Sequence, residues 1–218
     1  MRARTPRSRG ARAGFTLVEL AVSGTVLFLL LGAAGLVWTR NDRAYSNGST
    51  AALLELRVGV AIDRIVAELA PAQLASLAPD PLPGLGTQSL DFVQAVGFES
   101  SAVVIGPPRR IAFELDATEA DDGTDDDGDG LVDEGVVVLT IDVGGAEQRV
   151  VLASAVAELG AGELANGVDD DGDGLVDEPG FFVERDGETL VVNLTLRRID
   201  ANGTALTRVA RSAVQIRN

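Results

Sequence analysis

Residues 15–39, F-T-L-V-E-L-A-V-S-G-T-V-L-F-L-L-L-G-A-A-G-L-V-W-T, contain one ionisable side chain, Glu19. At ~1.5 Å rise per residue, the run from Phe15 to Trp38 is roughly 36 Å long as a helix, enough to cross a hydrocarbon core of about 30 Å. Arg2, Arg4, Arg7, Arg9 and Arg12 precede it with no acid among them, so the positive charge predicts a cytoplasmic N-terminus and everything after Thr39 outside. A secretory signal has a shorter apolar core of about 7 to 15 residues, although Gly32-Ala33-Ala34-Gly35 imitates its small-residue cleavage site. A lone carboxylate near the start of a membrane helix costs roughly 2.5–3.5 kcal/mol at full depth, and such groups are usually paired and functional. In a plain uncleaved anchor, Glu19 would snorkel to the headgroups.

The residues G-F-T-L-V-E, with Gly14, Phe15 and Glu19 in order behind a basic leader, resemble the processing motif of type IV pilins and pseudopilins. That resemblance implies cleavage after Gly14 by prepilin peptidase and methylation of the new Phe15 amine. Removing 14 of 218 residues leaves a mature chain of 204. It also implies that Glu19 faces the N-terminal amine of a neighbouring subunit as helices pack into a filament. The expected setting is the bacterial inner membrane, crossed once, with a head in the periplasm or on an extracellular filament.

Subtracting the leader's +5 from the formal charge of −15 leaves −20, which argues against a nucleic-acid partner because a phosphate-binding face needs a basic stripe. There is no cysteine, so an exported head has no disulfide. Many pilins close a C-terminal loop with a disulfide, and this chain departs from that pattern. There is no histidine, and every basic residue is arginine, which removes the commonest general base, the Ser-His and Cys-His pairs and the usual zinc ligands.

Beyond the N-terminal helix, about 150 residues remain, the size of one domain. Trp38 and Tyr45 stand where aromatic rings favour a membrane interface. Gly48 softens the helix, and Ser49 or Thr50 can cap a second, amphipathic run in which Leu54, Val58, Ile62, Ile65 and Leu69 share a face opposite Glu55, Asp63, Arg64 and Glu68, ending at Pro71. Residues 71–86, with Pro71, Pro79, Pro81 and Pro83, form a loop. Strands are expected at 89–96, 102–105, 110–115, 136–143, 149–152, 181–184, 190–197 and 206–216, with turns at Asp186-Gly187 and Asn202-Gly203. Short consecutive strands predict an antiparallel sheet. The expected fold class is α+β, a lollipop-like pilin whose long membrane-spanning helix packs on an antiparallel head. Its parts are a leader at 1–14, an assembly helix at 15–39, an amphipathic continuation at 40–71 and a β-rich head at 87–218. The order F-E-L-D, L-T-I-D, a helix-like A-S-A-V-A-E-L and a closing S-A-V-Q-I-R-N resembles the minor pilins of the PilW type and the J-type minor pseudopilins of type II secretion.

The ten residues D-D-D-G-D-G-L-V-D-E occur identically at 125–134 and 169–178, 44 positions apart, each with an Asx three residues ahead, Asp122 and Asn166. Calcium takes six to eight oxygens, and alternating acids around a glycine turn can converge on one ion. The first copy offers Asp125, Asp127, Asp129, the Leu131 carbonyl, Asp133 and Glu134; the second offers Asp169, Asp171, Asp173, the Leu175 carbonyl, Asp177 and Glu178. The pattern resembles EF-hand, dockerin and thrombospondin-type calcium loops, here at 122–135 and 166–179, but position twelve is Val136 or Gly180 instead of glutamate and no helices flank the loops. Glu134 and Glu178 substitute for the missing closing ligand, while Asp122 and Asn166 are either extra ligands or turn formers. A solvated acidic turn is the plain alternative. Two calcium ions, one per loop, with a structural role, are the expected cofactors.

These features predict a minor pilin or pseudopilin without catalytic activity, partnered by prepilin peptidase, other pilin subunits and the membrane. The alternative is a membrane-anchored calcium-binding domain outside any filament, or a carboxylate enzyme on the same anchor. Near-identical loops argue against catalysis, which normally needs acids in unlike environments.

Overall fold

The computed structural model describes residues 16–81, 86–100, 102–172 and 174–216. Gly14, Phe15 and Asp173 lie outside the described residues. The chain divides into two units, residues 1–45 and 46–218.

Helix α1 runs from Leu17 to Leu69. Within it, Leu17–Asn41 is long and apolar enough to cross a membrane, and none of its side chains is buried in the protein. The expected interruption at Gly48, with a new cap at Ser49 or Thr50, does not occur. The helix continues through this point with open space around Gly48, where the chain tolerates glycine at a cost of only about 1 kcal/mol.

In the second unit the face of α1 expected to be buried is buried: Leu54, Val58, Ala61, Ile62, Ile65 and Leu69 are each at most 6% exposed. The opposite face is not purely polar, because Leu53, Leu56 and Val60 stand beside Glu55, Arg57 and Arg64 and are more than half exposed. The helix ends at a polar clamp. Gln94 donates through Nε2 to the Glu68 carbonyl at 2.7 Å and to Glu68 Oε2 at 3.2 Å, and Arg109 pairs with the same carboxylate at 2.5 Å. This satisfies a backbone carbonyl that a helix C-terminus otherwise leaves free.

The strands are β1 (Ser89–Phe92), β2 (Ala95–Glu99), β3 (Ala102–Ile105), β4 (Arg109–Leu115), β5 (Gly135–Ile141), β6 (Gln148–Val156), β7 (Phe181–Asp186), β8 (Thr189–Ile199) and β9 (Ala205–Gln215). Seven form an antiparallel sheet ordered β1-β4-β5-β6-β8-β7, with β9 along the other side of β8. The first and last of these strands also meet, since Thr87 and Val183 exchange backbone hydrogen bonds at 2.9 Å in both directions. Alternate residues of β8, Leu190, Val192, Leu194 and Leu196, are buried, as a strand with one face on a core requires. They join Leu90, Phe92, Ile111, Val137, Leu139, Phe181 and the buried face of α1 in one core. The α+β class with an antiparallel sheet is therefore present.

Two local expectations fail. The strand expected over 89–96 splits: β1 ends at Phe92, Val93 donates to Ser76 Oγ at 3.0 Å, Gln94 turns to α1, and β2 pairs only with β3 in a separate exposed hairpin. The helix-like A-S-A-V-A-E-L is a strand and its exit. β6 continues to Val156 through an irregular register in which Ala155 adopts φ 55°, a β-bulge. Pairing with β5 overrides the helix preference of its alanines.

Candidate metal centre: two acidic loops

The identical decapeptides sit in equivalent connections, the first between β4 and β5, the second between β6 and β7. Their backbones match closely. Gly123, Gly128, Gly130 and Asp133 have φ 76°, 79°, 91° and 50°; Gly167, Gly172, Gly174 and Asp177 have 74°, 82°, 97° and 48°. Gly130 and Gly174 are glycine for this reason, since a side chain in that left-handed conformation is strained.

Asp125 Oδ1 and Oδ2 accept from the Gly128 and Gly130 amides at 2.7 and 2.9 Å, and Asp169 does the same for Gly172 and Gly174 at 2.6 and 3.0 Å. Asp127 accepts from the Asp129 amide and Asp129 from the Leu131 amide, each at 2.9 Å. Each alternating aspartate thus ties the amide ahead of it, curling the loop around its own carboxylates. The Leu131 side chain is buried beneath, at 3% exposure.

Asp122 and Asn166 each close a turn with the side-chain oxygen. Asp122 Oδ1 accepts from the Thr124 amide at 3.0 Å, and Asn166 Oδ1 from the Val168 amide at 2.7 Å. Asp133 and Asp177 face the same turns: Asp133 accepts from the Gly123 amide at 2.9 Å, Asp177 from the Gly167 amide at 2.8 Å.

Sequence reading missed Glu119 and Glu163. They also stand 44 positions apart, and they extend the repeat to E-x-x-(D/N)-G-x-D-D-D-G-D-G-L-V-D-E. Glu119 accepts from the Asp127 amide at 3.1 Å. Glu163 accepts from Asp171 at 3.0 Å and Asp177 at 3.1 Å. Comparing the copies beyond the identical ten residues was the signal that finds them.

Several acidic clusters are close enough to hold a metal ion. Carboxylate oxygens converge within 4.8 Å in Glu119–Asp125–Asp127, in Asp127–Asp129–Glu134 and, in the second loop, in Glu163–Asp171–Glu178. A fourth group, Asp121–Asp133–Glu158, reaches from the first loop to the end of β6. At such separations two carboxylates repel by roughly 3–4 kcal/mol at an effective dielectric constant of about 20, so the grouping favours a cation or a proton. Burial, with Asp129, Glu119 and Asp127 nearby, pushes the Glu134 carboxyl from 4.5 up to about 7. Burial and the charges of Asp133 and Asp121 push Glu158 up as well. In contrast, hydrogen bonds from the Thr118 hydroxyl and amide hold Asp116 below its usual range.

A cavity of about 400 Å³ is lined by Asp133 and Glu134 of the first loop, by residues 160–165 leading into the second, and by Thr195 and Arg197 of β8. Both loops thus line a common space, although two strands, β5 and β6, separate them in the sequence.

At the other end of the described chain, Glu19 belongs to a capping box. Thr16 Oγ1 accepts from the Glu19 amide, and Glu19 Oε2 accepts from the Thr16 amide and hydroxyl, all at 3.2 Å. No known family model, curated protein or solved structure matches this chain.

Proposed function

We propose that this protein is a minor pilin or pseudopilin of a type IV pilus or type II secretion filament, processed after Gly14, with a calcium-stabilised head. The observation that carries the reading is α1, one helix of 53 residues that begins as an apolar span with a single carboxylate and ends buried in a β-sheet core. A simple anchor needs only the first part. The exposed Leu53, Leu56 and Val60 support assembly, because an apolar stripe on a helix already packed on its other side is available to neighbouring helices.

The acidic loops are assigned calcium over magnesium because they offer many flexible oxygen ligands without an octahedral frame. Without a disulfide, ions bound there order two long connections between strands. Replication of one unit favours this structural role, and the chain is assigned no catalysis.

The capping box favours a second reading, a membrane-anchored calcium-binding domain that does not assemble, since it gives Glu19 a partner within its own helix. Two measurements separate the readings. Intact mass and N-terminal sequencing of membrane-extracted protein should begin at a methylated Phe15; a chain beginning at Met1 sinks the filament reading. Glu19→Gln keeps the capping box, which accepts glutamine equally, but removes the charge. It should abolish incorporation into filaments, and unimpaired incorporation leaves Glu19 a cap and nothing more.

A further inference from the structure

The decapeptide supplies alternating aspartates but no ligand at position twelve, and in the first loop two glutamates stand where closure is needed. Glu119, six residues ahead of Asp125, brings a carboxylate oxygen within 4.8 Å of those of Asp125 and Asp127. Glu134 does the same for Asp127 and Asp129 from the other side, so Asp127 is common to both trios.

An independent sign of a missing ligand comes from Glu134 itself. The residue is 6% exposed, and its Oε2 is shielded from solvent with no hydrogen-bond donor among the described residues. A buried charged oxygen without a partner is costly, and the carboxylate that carries it stands within 4.8 Å of two further carboxylates. A hard divalent cation removes both the desolvation cost and the repulsion. Asp133 is equally buried, at 3% exposure, but it stands in neither trio around Asp127: it converges with Asp121 and Glu158, and its oxygens accept from the Gly123 amide at 2.9 Å and, more weakly, the Asp122 amide at 3.4 Å.

We infer that Glu119 and Glu134 close the first loop's cation site around Asp127, and that Asp133 positions the loop without ligating the ion. This rests on the cation-binding reading above and revises its ligand set. Asp125, Asp127, Asp129, Glu119 and Glu134 supply five anionic groups, and calcium's six to eight oxygens are completed by bidentate contacts, backbone carbonyls or water. In the second loop the equivalent acid is Glu163, whose carboxylate converges with Asp171 and Glu178.

The test is calorimetric titration of CaCl₂ into chelator-treated, full-length protein in detergent. Glu119→Gln keeps an oxygen for the Asp127 amide, so the loop keeps its anchor and loses only the anionic ligand. It should weaken one of the bound ions by at least about tenfold and leave the other unchanged, and Glu134→Gln should do the same. Asp133→Asn keeps one acceptor oxygen for the Gly123 amide, gives up the 3.4 Å contact with the Asp122 amide, and should stay within about twofold of wild type in calcium affinity. A cooperative melt in chelator at or above the wild-type temperature, expected for Glu119→Gln because it removes a repelling charge, shows that the fold is intact; if that variant does not fold, Glu134→Gln carries the test. Wild-type affinity in both glutamate variants overturns the assignment, as does loss of an ion in a folded Asp133→Asn. A wild-type chain that takes up no calcium overturns the cation reading as well.

Discussion

At the scale of single residues, Glu134 ties stability to pH. Its carboxyl is raised from 4.5 to about 7 by burial, with acidic neighbours adding to the shift. The folded head therefore binds a proton there that the unfolded chain has already lost, so the contribution is full below about pH 4.5 and disappears as pH rises through about 7. Cation-free protein should lose on the order of 2–3 kcal/mol from this group over that window. Urea denaturation in chelator at pH 5 and pH 8 would measure it, and Glu134→Gln should flatten that part of the slope. Gly180 is held by a different constraint, because a Cβ there would overlap the Ala157 carbonyl. Gly180→Ala should cost about 1–3 kcal/mol or more, visible as a fall in Tm, whereas Gly97→Ala, which has open space, should stay close to wild type.

Among the elements, α1 depends on its end as much as on its length. Gln94 is 7% exposed and binds both the carbonyl and the carboxylate of Glu68. Gln94→Leu leaves that carbonyl and part of the ion pair unsatisfied, and a loss of about 1–3 kcal/mol in chemical denaturation is expected. Ile65→Ala, at a fully buried position in the same helix, should cost about 2–5 kcal/mol. The buried spacing Leu54, Val58, Ile62, Ile65, Leu69 was legible because i, i+3 and i+4 residues share one helix face. The continuity of α1 through Gly48 was not, because one glycine is a small penalty inside a long cooperative helix. The hairpin turns at Asp186-Gly187 and Asn202-Gly203 were legible for a local reason too. Gly187 supplies φ 62°, and Asp200 accepts from the Asn202 and Thr204 amides at 2.8 and 2.9 Å.

For the whole molecule, each acidic loop leads directly into a strand of the main sheet. The first loop feeds β5, a central strand, and the second feeds β7, whose Val183 bridges back to Thr87 beside β1. Ordering the loops therefore secures both halves of the sheet. An ion present at about 100 times its dissociation constant adds about 2.7 kcal/mol, so chelating two ions should lower Tm by roughly 10–20 °C. Thermal melts with calcium and with chelator measure this, and coincident curves would leave the acidic loops as solvated turns.

The sequence by itself determined the apolar span, the buried face of α1, most strand positions and the presence of two acidic loops, because each is written in local periodicity or identical repetition. Only the tertiary structure decided where chains from distant positions meet. Asp133 is an acid of the repeat like its neighbours, yet the fold sets it with Asp121 and Glu158, away from Asp127, while Glu119, outside the identical decapeptide, is brought back beside Asp125 and Asp127. The alanines of β6 favour a helix locally, but pairing with β5 makes them a strand. Spacing along the chain fixes which side chains exist at a turn, and long-range backbone pairing fixes which of them face each other.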